Sequence, residues 1–202
     1  YRHLFPGVRA AVVHCGVRLA DFPFNLRTSS SGPLRILAVG RMVPKKGFRH
    51  LLDALALLDA DRYPWRADLV GGGPLLDELR AQRARLGLTR LEITGPRQQS
   101  EVRDLLLQAD VFVLPCVESA DGDIDGIPVS LMEAMASGCP VISTRLSGIP
   151  ELLADGEAGL LVSPGDARAL ADALTRMASE PELVARFSRS GREQVERDFD
   201  AD

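Results

Sequence analysis

The chain has 202 residues, of which 46% are hydrophobic and 26% charged, with a formal net charge of −4 at pH 7. These values are typical of one sizeable globular domain, and the dispersed arginines, without a basic block, argue against nucleic acid as a partner. No apolar run approaches the roughly 20 residues that span a bilayer, and the first six residues do not form a secretory signal. Three widely spaced cysteines without a Cys-x-x-Cys pair favour a reducing, cytoplasmic location over a disulfide framework or a zinc site.

The beginning of the chain predicts a join between domains. Residues 11–22 have the pattern of a strand and turn, and residues 28–33 have the Ser, Gly and Pro composition of a linker. We therefore expect residues 1–32 to be an inter-domain join and residues 33–202 to form the main domain.

From residue 33 onward, β-branched runs alternate with amphipathic stretches, which is typical of βαβ units on a parallel sheet. The predicted strands are Arg35–Val39, Ala67–Val70, Leu91–Thr94, Val111–Leu114, Val141–Ser143 and Gly159–Val162. The predicted helices are Gly47–Leu58, Pro74–Leu86, Ser100–Gln108, Val129–Ala136, Ile149–Leu153, Ala167–Ala178 and Pro181–Asp198. This order predicts an α/β fold with a doubly wound, Rossmann-like, mostly parallel sheet.

Glycine-rich loops follow the first three predicted strands. The first, Gly40–Phe48, opens a helix and carries several cations, so a diphosphate could meet backbone N–H groups and positive side chains there. Gly71–Pro74 and Gly95–Arg97 follow the next two strands. Glycines at such places either permit a tight turn or let a ligand approach the backbone, and the sequence leaves both explanations open.

Two carboxylates, Asp125 and Glu133, stand eight positions apart at a predicted loop-to-helix junction. Pro128 is expected at an early helical position, where its missing N–H has no partner to lose, and Gly138 is a natural helix stop. Asp125 therefore precedes the helix and Glu133 lies inside it. The mouth between a strand's carboxyl end and the next helix is where α/β proteins bind ligands.

These motifs, in this order, resemble the retaining nucleotide-sugar glycosyltransferases of glycosyltransferase family 4. That family has an acidic residue, seven residues, then Glu, followed by Ala-Met-Ala-x-Gly, as in the stretch Asp125–Gly138. It also has Gly-Arg-x-x-x-x-Lys-Gly, as in Gly40–Gly47, and a His-x-Gly-Val-x-x-x-x-Phe stretch, as in His14–Phe22. The resemblance covers about residues 11–200 and implies the C-terminal half of a GT-B fold, without the N-terminal acceptor-binding domain.

The resemblance also implies roles for individual residues. Glu133 would hold the ribose of the donor nucleotide, Asp125 would contact sugar hydroxyls, and Arg41 and Lys46 would contact the diphosphate, whereas Lys45 is expected to be solvated. Asp125 stands where the family more commonly has Glu. Residues expected to line the same site are Gly40, Gly73, Gly95, Gly126, Ile127, Pro128 and Val129, with Gly148 bordering the sugar pocket.

The implied function is binding of a nucleotide diphosphate sugar, so that the complete enzyme transfers a glycosyl group to an acceptor in exopolysaccharide or cell-surface polysaccharide synthesis. As a hexosyltransferase half without its acceptor domain, the chain alone is expected to be inactive. Asp121-Gly-Asp123 could suggest Mg²⁺ or Mn²⁺, but a solvated acidic loop is the simpler interpretation, and we expect neither a metal nor a cofactor. The donor base, the sugar, the acceptor, the oligomeric state and peripheral docking on a membrane stay open.

Three other functions fit the sequence less well. A nucleotide-sugar 2-epimerase shares the fold but lacks the Glu-Ala-Met-Ala-x-Gly context. A stand-alone nucleotide-binding or regulatory module would use the same loops without an acceptor domain. A dehydrogenase is disfavoured because no Gly-x-Gly-x-x-Gly follows the first strand with an acidic residue about 20 positions later.

His3, His14 and His50 form no pattern of a catalytic triad or a metal centre.

Overall fold

The computed structural model describes residues 15–28, 32–58 and 64–201. Within these ranges six parallel strands form one sheet of order β3-β2-β1-β4-β5-β6. The strands are β1 Leu34–Val39, β2 Trp65–Val70, β3 Leu91–Thr94, β4 Val111–Leu114, β5 Val141–Thr144 and β6 Leu160–Val162. The helices are α1 Phe48–Leu57, α2 Leu76–Arg85, α3 Gln99–Gln108, α4 Val129–Ala136, α5 Ile149–Leu152, α6 Ala167–Ser179 and α7 Pro181–Asp198. The predicted Rossmann-like α/β class is confirmed.

Every strand and helix predicted from residue 33 onward is present, with ends shifted by at most two positions. The helix α2 begins at Leu76 and not at the predicted Pro74. Gly73 adopts a positive φ of 151°, and Leu75 N donates to Met42 O in the loop after β1, so this turn is not part of the helix. The placement of Pro128 inside α4 is wrong. Pro128 is the residue before the helix, with extended backbone (φ −69°, ψ 124°), and its carbonyl accepts the bond from Leu131 N at 3.1 Å.

The strand order places a topological switch point between β1 and β4. The chain moves outward from β1 through β2 to β3, then returns to β4 beside β1 and continues outward to β6. Because crossover connections between parallel strands are right-handed, the two directions put α1 and α2 on one face and α4 on the other. The helix α6 packs against α1 and α7 against α4, so both faces of the sheet are covered.

The core follows from the sequence pattern of a sheet covered on both faces. All four residues of β4 and all four of β5 are buried, as expected for central parallel strands. The run of β4 is entirely apolar, whereas Ser143 and Thr144 of β5 are buried with their hydroxyls donating to Leu114 O and Cys116 O. In α1, Leu51, Leu52 and Leu55 recur at helical spacing and are each about 1% exposed or less. The apolar face predicted for this helix therefore does pack into the core.

Residues 15–28 lie against the domain. Val17 forms a parallel bridge with Asp200, and Phe22 is buried. Arg27, 6% exposed, donates to the carbonyls of Leu106, Leu107 and Ala109 at the end of α3, and thereby satisfies groups that a helix terminus leaves without partners. Where the inter-domain join ends thus stays a prediction, but residues 15–28 share the core of the domain that follows.

Some predictions fall outside the described ranges. Of the strand and turn predicted in residues 11–22, residues 11–14 are not described. From Cys15 onward the structure has an isolated bridge at Val17 and a 3₁₀ turn at Leu19–Asp21 instead of a strand. His3 and His14 also lie outside the described residues. His50 lies on α1, where partial burial lowers its pKa. None of the described helices has both the length and the apolar character needed to cross a membrane.

Candidate functional site

The loops that follow β1 and β4 meet at the switch point. Val117 N donates to Lys45 O at 2.9 Å and ties the two loops together. Gly47 has a left-handed φ of 66°, and a Cβ on it would lie 1.9 Å from the carbonyl oxygen of Pro115. Glycine is therefore required at position 47 by the approach of the other loop as well as by the backbone conformation.

An ion pair crosses this junction. Lys46 Nζ lies 2.9 Å from Asp125 Oδ2, with the side chains 15% and 14% exposed. The Cys116 thiol lies 3.6 Å from the same oxygen, and burial raises its pKa to about 12, so it stays protonated and can donate to the carboxylate. In turn Thr144 Oγ1 donates to Cys116 O at 2.6 Å, which fixes the start of the loop to β5. Asp125 is thus held by a cation and a thiol anchored in the sheet.

Beside this pair, a cleft of about 510 Å³ opens over the ends of β1 and β2. It is lined by Val39, Gly40, Arg41, Val70, Gly71, Gly72, Gly73, Pro96, Arg97 and Val102. Arg41 is exposed, and Met42 N donates to Gly72 O at 2.8 Å across the two loops. The cleft therefore exposes backbone atoms and the guanidinium group of Arg41 to a ligand at the carboxyl edge of the sheet.

The structure answers the question that the sequence left open about two of these glycines. Gly71 (φ 143°) and Gly73 (φ 151°) both have positive φ. An added Cβ would lie 2.0 Å from Gly40 O and 2.6 Å from Met42 O, respectively. Their backbone contacts explain why both are glycine, and the same close contact of two loops forms the floor of the cleft. Gly95, in contrast, has no neighbour within 4 Å of an added Cβ.

Glu133 lies in α4, close to the start of α3. Its carboxylate accepts a long hydrogen bond of 3.4 Å from Gln99 Nε2. Burial raises the pKa of Glu133, and the Gln99 amide and the nearby Arg103 oppose this shift. A half-buried carboxylate with one weak donor has acceptor capacity left for hydroxyl groups of a ligand.

The remaining predicted residues surround α4 at its beginning. Gly126 has nothing within 4 Å of an added Cβ, and Val129 is 46% exposed. Gly148 does lie beside this segment, since a Cβ there would be 2.6 Å from Ile127 Cγ1. These residues lie at the carboxyl edge of the sheet, as the cleft does, and their role in lining a ligand site stays a prediction.

The structure also adds three residues to those predicted. Gln99 contacts Glu133, Cys116 contacts Asp125, and Lys45, expected to be solvated, is 25% exposed and lies 3.0 Å from Asp123 Oδ2. The basic motif gave a signal for Lys45, since it adjoins Lys46. The contacts of Gln99 and Cys116 depend on how loops distant in sequence are folded, and no local pattern marks them.

The acidic loop before Asp125 bonds mainly to itself. Ser119 Oγ donates to Asp121 Oδ1 at 2.6 Å and to Asp123 O at 2.8 Å. Across residues 15–28, 32–58 and 64–201 there is no cluster of three or more His, Cys, Asp or Glu side chains that could hold a metal ion. Metal independence nevertheless stays a prediction.

Comparison with known proteins supports the fold and gives the family. Residues 33–180 match the family model of the glycosyl transferases group 1. The chain is 39% identical over 196 residues to the putative colanic acid biosynthesis glycosyltransferase WcaL of Escherichia coli strain K12. It is 37% identical over 195 residues to the amylovoran biosynthesis glycosyltransferase AmsK of Erwinia amylovora. Each alignment covers 96% of this chain and 48% of the relative, so the chain spans about half the length of these proteins.

Two solved structures show the same fold. HepE from Anabaena, in complex with UDP-glucose, superposes with a TM-score of 0.80 at 25% identity, covering 96% of this chain and 55% of HepE. The C-terminal domain of the group 1 glycosyl transferase LpcC from Francisella tularensis superposes with a TM-score of 0.78 at 25% identity, covering 93% of this chain and 100% of that domain.

Fold and site together define the C-terminal, Rossmann-like domain of a GT-B glycosyltransferase. The chain belongs to the group 1 glycosyltransferases, as the family match and the identity to WcaL and AmsK show.

Proposed function

We propose that this chain is the donor-binding half of a retaining, family 4 glycosyltransferase, and that the switch-point cleft binds a nucleotide diphosphate sugar. The observation that carries the proposal is that the Lys46–Asp125 ion pair adjoins the cleft that Gly40 and Arg41 line, with Glu133 in the helix that follows the Asp125 loop. In open α/β sheets this is where ligands bind. The UDP-glucose in the HepE structure supports the same class of ligand.

Each part of the donor meets matching chemistry in this arrangement. The diphosphate lies near Arg41 and Lys46, whose positive charges offset its own. Most N–H groups of the Gly40–Gly47 loop already donate to protein carbonyls, so the side chains carry this contact. Glu133 accepts hydrogen bonds from the ribose hydroxyls, and Asp125 accepts them from the sugar. Lys46 contacts the diphosphate and Asp125 together, so it aligns the sugar-facing carboxylate with the charged part of the donor.

The protein's contribution to transfer is then positioning and electrostatics. Arg41 and Lys46 stabilise the charge that develops on the departing diphosphate, and this requires neither a metal nor a cofactor. The acceptor site belongs to an N-terminal domain that completes the enzyme, and without it residues 33–202 bind the donor but do not transfer it. The polysaccharide-assembly relatives favour an acceptor that is a growing exopolysaccharide or cell-surface glycan.

Calorimetric titration tests the proposal. The chain is titrated with UDP, GDP and ADP and with the glucose and mannose conjugates of each. We expect the nucleotides of at least one base to bind with a stoichiometry near one and a dissociation constant in the millimolar range or lower. Arg41→Ala should weaken that binding. Arg168→Ala, which removes an exposed, ion-paired arginine on α6, is the matched control and should have no effect. Failure of all nine nucleotides to bind would refute the proposal.

A further inference from the structure

Lys45 contacts both ends of the segment 117–125, which leads from β4 to the sugar-facing Asp125. Its carbonyl oxygen accepts a hydrogen bond from Val117 N at 2.9 Å, at the beginning of the segment. Its Nζ lies 3.0 Å from Asp123 Oδ2 and 3.5 Å from Asp125 Oδ1, at the end. The hydrogen bond from Lys45 to Asp123 raises the pKa of the lysine, so the ammonium stays charged.

Between these two contacts, the segment 117–125 forms hydrogen bonds within itself. Ser119 N donates to Asp123 O at 3.0 Å, and the Ser119 hydroxyl donates to the same carbonyl at 2.8 Å. Asp123 is therefore held on its backbone by Ser119 and on its side chain by Lys45. A shift of Asp123 would move Asp125, two residues later, relative to Lys46.

We propose that Lys45 is a positioning residue that, both directly and through Asp123, holds Asp125 where it meets the sugar of the donor. Lys46, its neighbour, pairs with the other oxygen of Asp125 and contacts the diphosphate as well, whereas Lys45 acts only on the segment 117–125. The inference rests on the proposed function and deepens it. The Lys45–Asp123 pair determines how much the sugar contributes to the affinity for the nucleotide sugar, compared with the nucleotide alone.

The competing explanation is that Lys45 only adds positive charge near an anionic ligand. The two explanations predict opposite effects of Asp123→Asn. Removing a negative charge beside a diphosphate site strengthens binding if charge alone matters, whereas removing a partner of Lys45 weakens binding of the sugar conjugate if positioning matters. The measured quantities are the direction in which each dissociation constant changes and the ratio of the two, because the nucleotide carries about one more negative charge than its sugar conjugate and a change in field alone moves both in the same direction.

The test uses UDP and UDP-glucose, or the corresponding GDP or ADP pair if the panel above shows that the chain prefers it. Lys45→Ala, Asp123→Asn and the double variant are titrated with both members of the pair. We expect each single variant to lower the sugar's contribution by about three- to fivefold, the upper range for partly exposed ion pairs, with affinity for the nucleotide itself changed much less. The double variant should lose no more than Lys45→Ala alone, because the contact between Lys45 and Asp123 is already absent from it, and the direct contact of Lys45 with Asp125 is lost with Lys45 in both.

A neighbouring ion pair provides matched controls. Arg49 and Glu78 also pair across two elements next to the first loop, but neither touches the segment 117–125. Arg49→Ala and Glu78→Gln should leave the ratio unchanged.

The inference is overturned if Asp123→Asn tightens both members of the pair, if the ratio does not move, or if the losses of the two single variants add. Should Lys45→Ala fail to fold, Asp123→Asn alone still decides between tightening and weakening. If the wild-type chain binds no nucleotide at all, the proposed function itself has failed, which is a distinguishable result.

Discussion

Replacing Glu133 with Gln separates a ribose-binding carboxylate from one that only supports its helix. The side chain keeps its size and one acceptor oxygen, and it can still pair with the Gln99 amide that donates to it at 3.4 Å. What is lost is the negative charge. Hydrogen bonds to charged groups contribute about 1.5–3 kcal/mol, so we expect nucleotide affinity to fall about 10- to 150-fold.

The pKa of Glu133 fixes the expected effect on stability. Burial raises this pKa, so the folded chain binds the proton more tightly than the unfolded chain does. A carboxyl of this kind opposes folding above its raised pKa, and the opposition disappears as the pH falls through that value. The melting temperature of ligand-free Glu133→Gln at pH 7 should therefore be unchanged or higher, never lower.

The same shift predicts a pH dependence of binding. Protonation of Glu133 removes an acceptor for ribose, so wild-type affinity should weaken as the pH falls through the raised pKa, whereas Glu133→Gln should change less. The titrant should be a nucleotide sugar, because its diphosphate has no further proton to take up in this range.

Calorimetry with a 2′,3′-dideoxy nucleotide completes the experiment. This compound lacks both hydroxyls, so it should bind the wild type weakly and be almost insensitive to Glu133→Gln. The ribose assignment is refuted if the dideoxy compound binds the wild type as tightly as its parent, or if the substitution weakens both compounds equally.

Three further predictions concern the loops around the cleft. Lys46→Ala should weaken binding of a nucleoside diphosphate by about 1.5 kcal/mol, the lower end for a charged hydrogen bond because Lys46 already pairs with Asp125, and leave nucleoside binding unchanged; equal losses for both would contradict a diphosphate contact. EDTA should leave nucleotide affinity unchanged, and a loss that Mn²⁺ restores would show a metal requirement. Gly47→Ala should lower the free energy of unfolding, measured by chemical denaturation, by at least about 1–3 kcal/mol, because Gly47 has a positive φ and a carbonyl oxygen lies 1.9 Å from the new Cβ. Gly95→Ala should leave the free energy of unfolding almost unchanged.

The fold was predictable because its signals are local and repeated. Leu51, Leu52 and Leu55 at helical spacing and the apolar run of β4 each indicate burial without reference to the rest of the chain. Once strands and helices alternate, a parallel sheet follows, and with it the edge at which the candidate site lies.

The contacts within the site were less predictable, since they join residues far apart in sequence through loops that have no periodicity. Lys45 and Asp123 are 78 positions apart, and Gln99 and Glu133 are 34 apart. Arg27 shows the same limit in the predicted join. An arginine beside a serine-rich stretch suggests an exposed side chain, yet it is buried because the end of α3 offers carbonyl groups for it to satisfy.

Hydrogen–deuterium exchange of the chain, with and without the nucleotide sugar that binds most tightly in the titration panel, tests the central claim most directly. If the switch-point cleft is the donor site, binding should slow amide exchange in the loops 40–47 and 71–73 and in the segment 125–133. The open groove formed around residues 176–186, where α6 meets α7, serves as an internal control and should exchange at the same rate in both samples. Protection confined to that groove, with none in the three switch-point segments, would contradict the account.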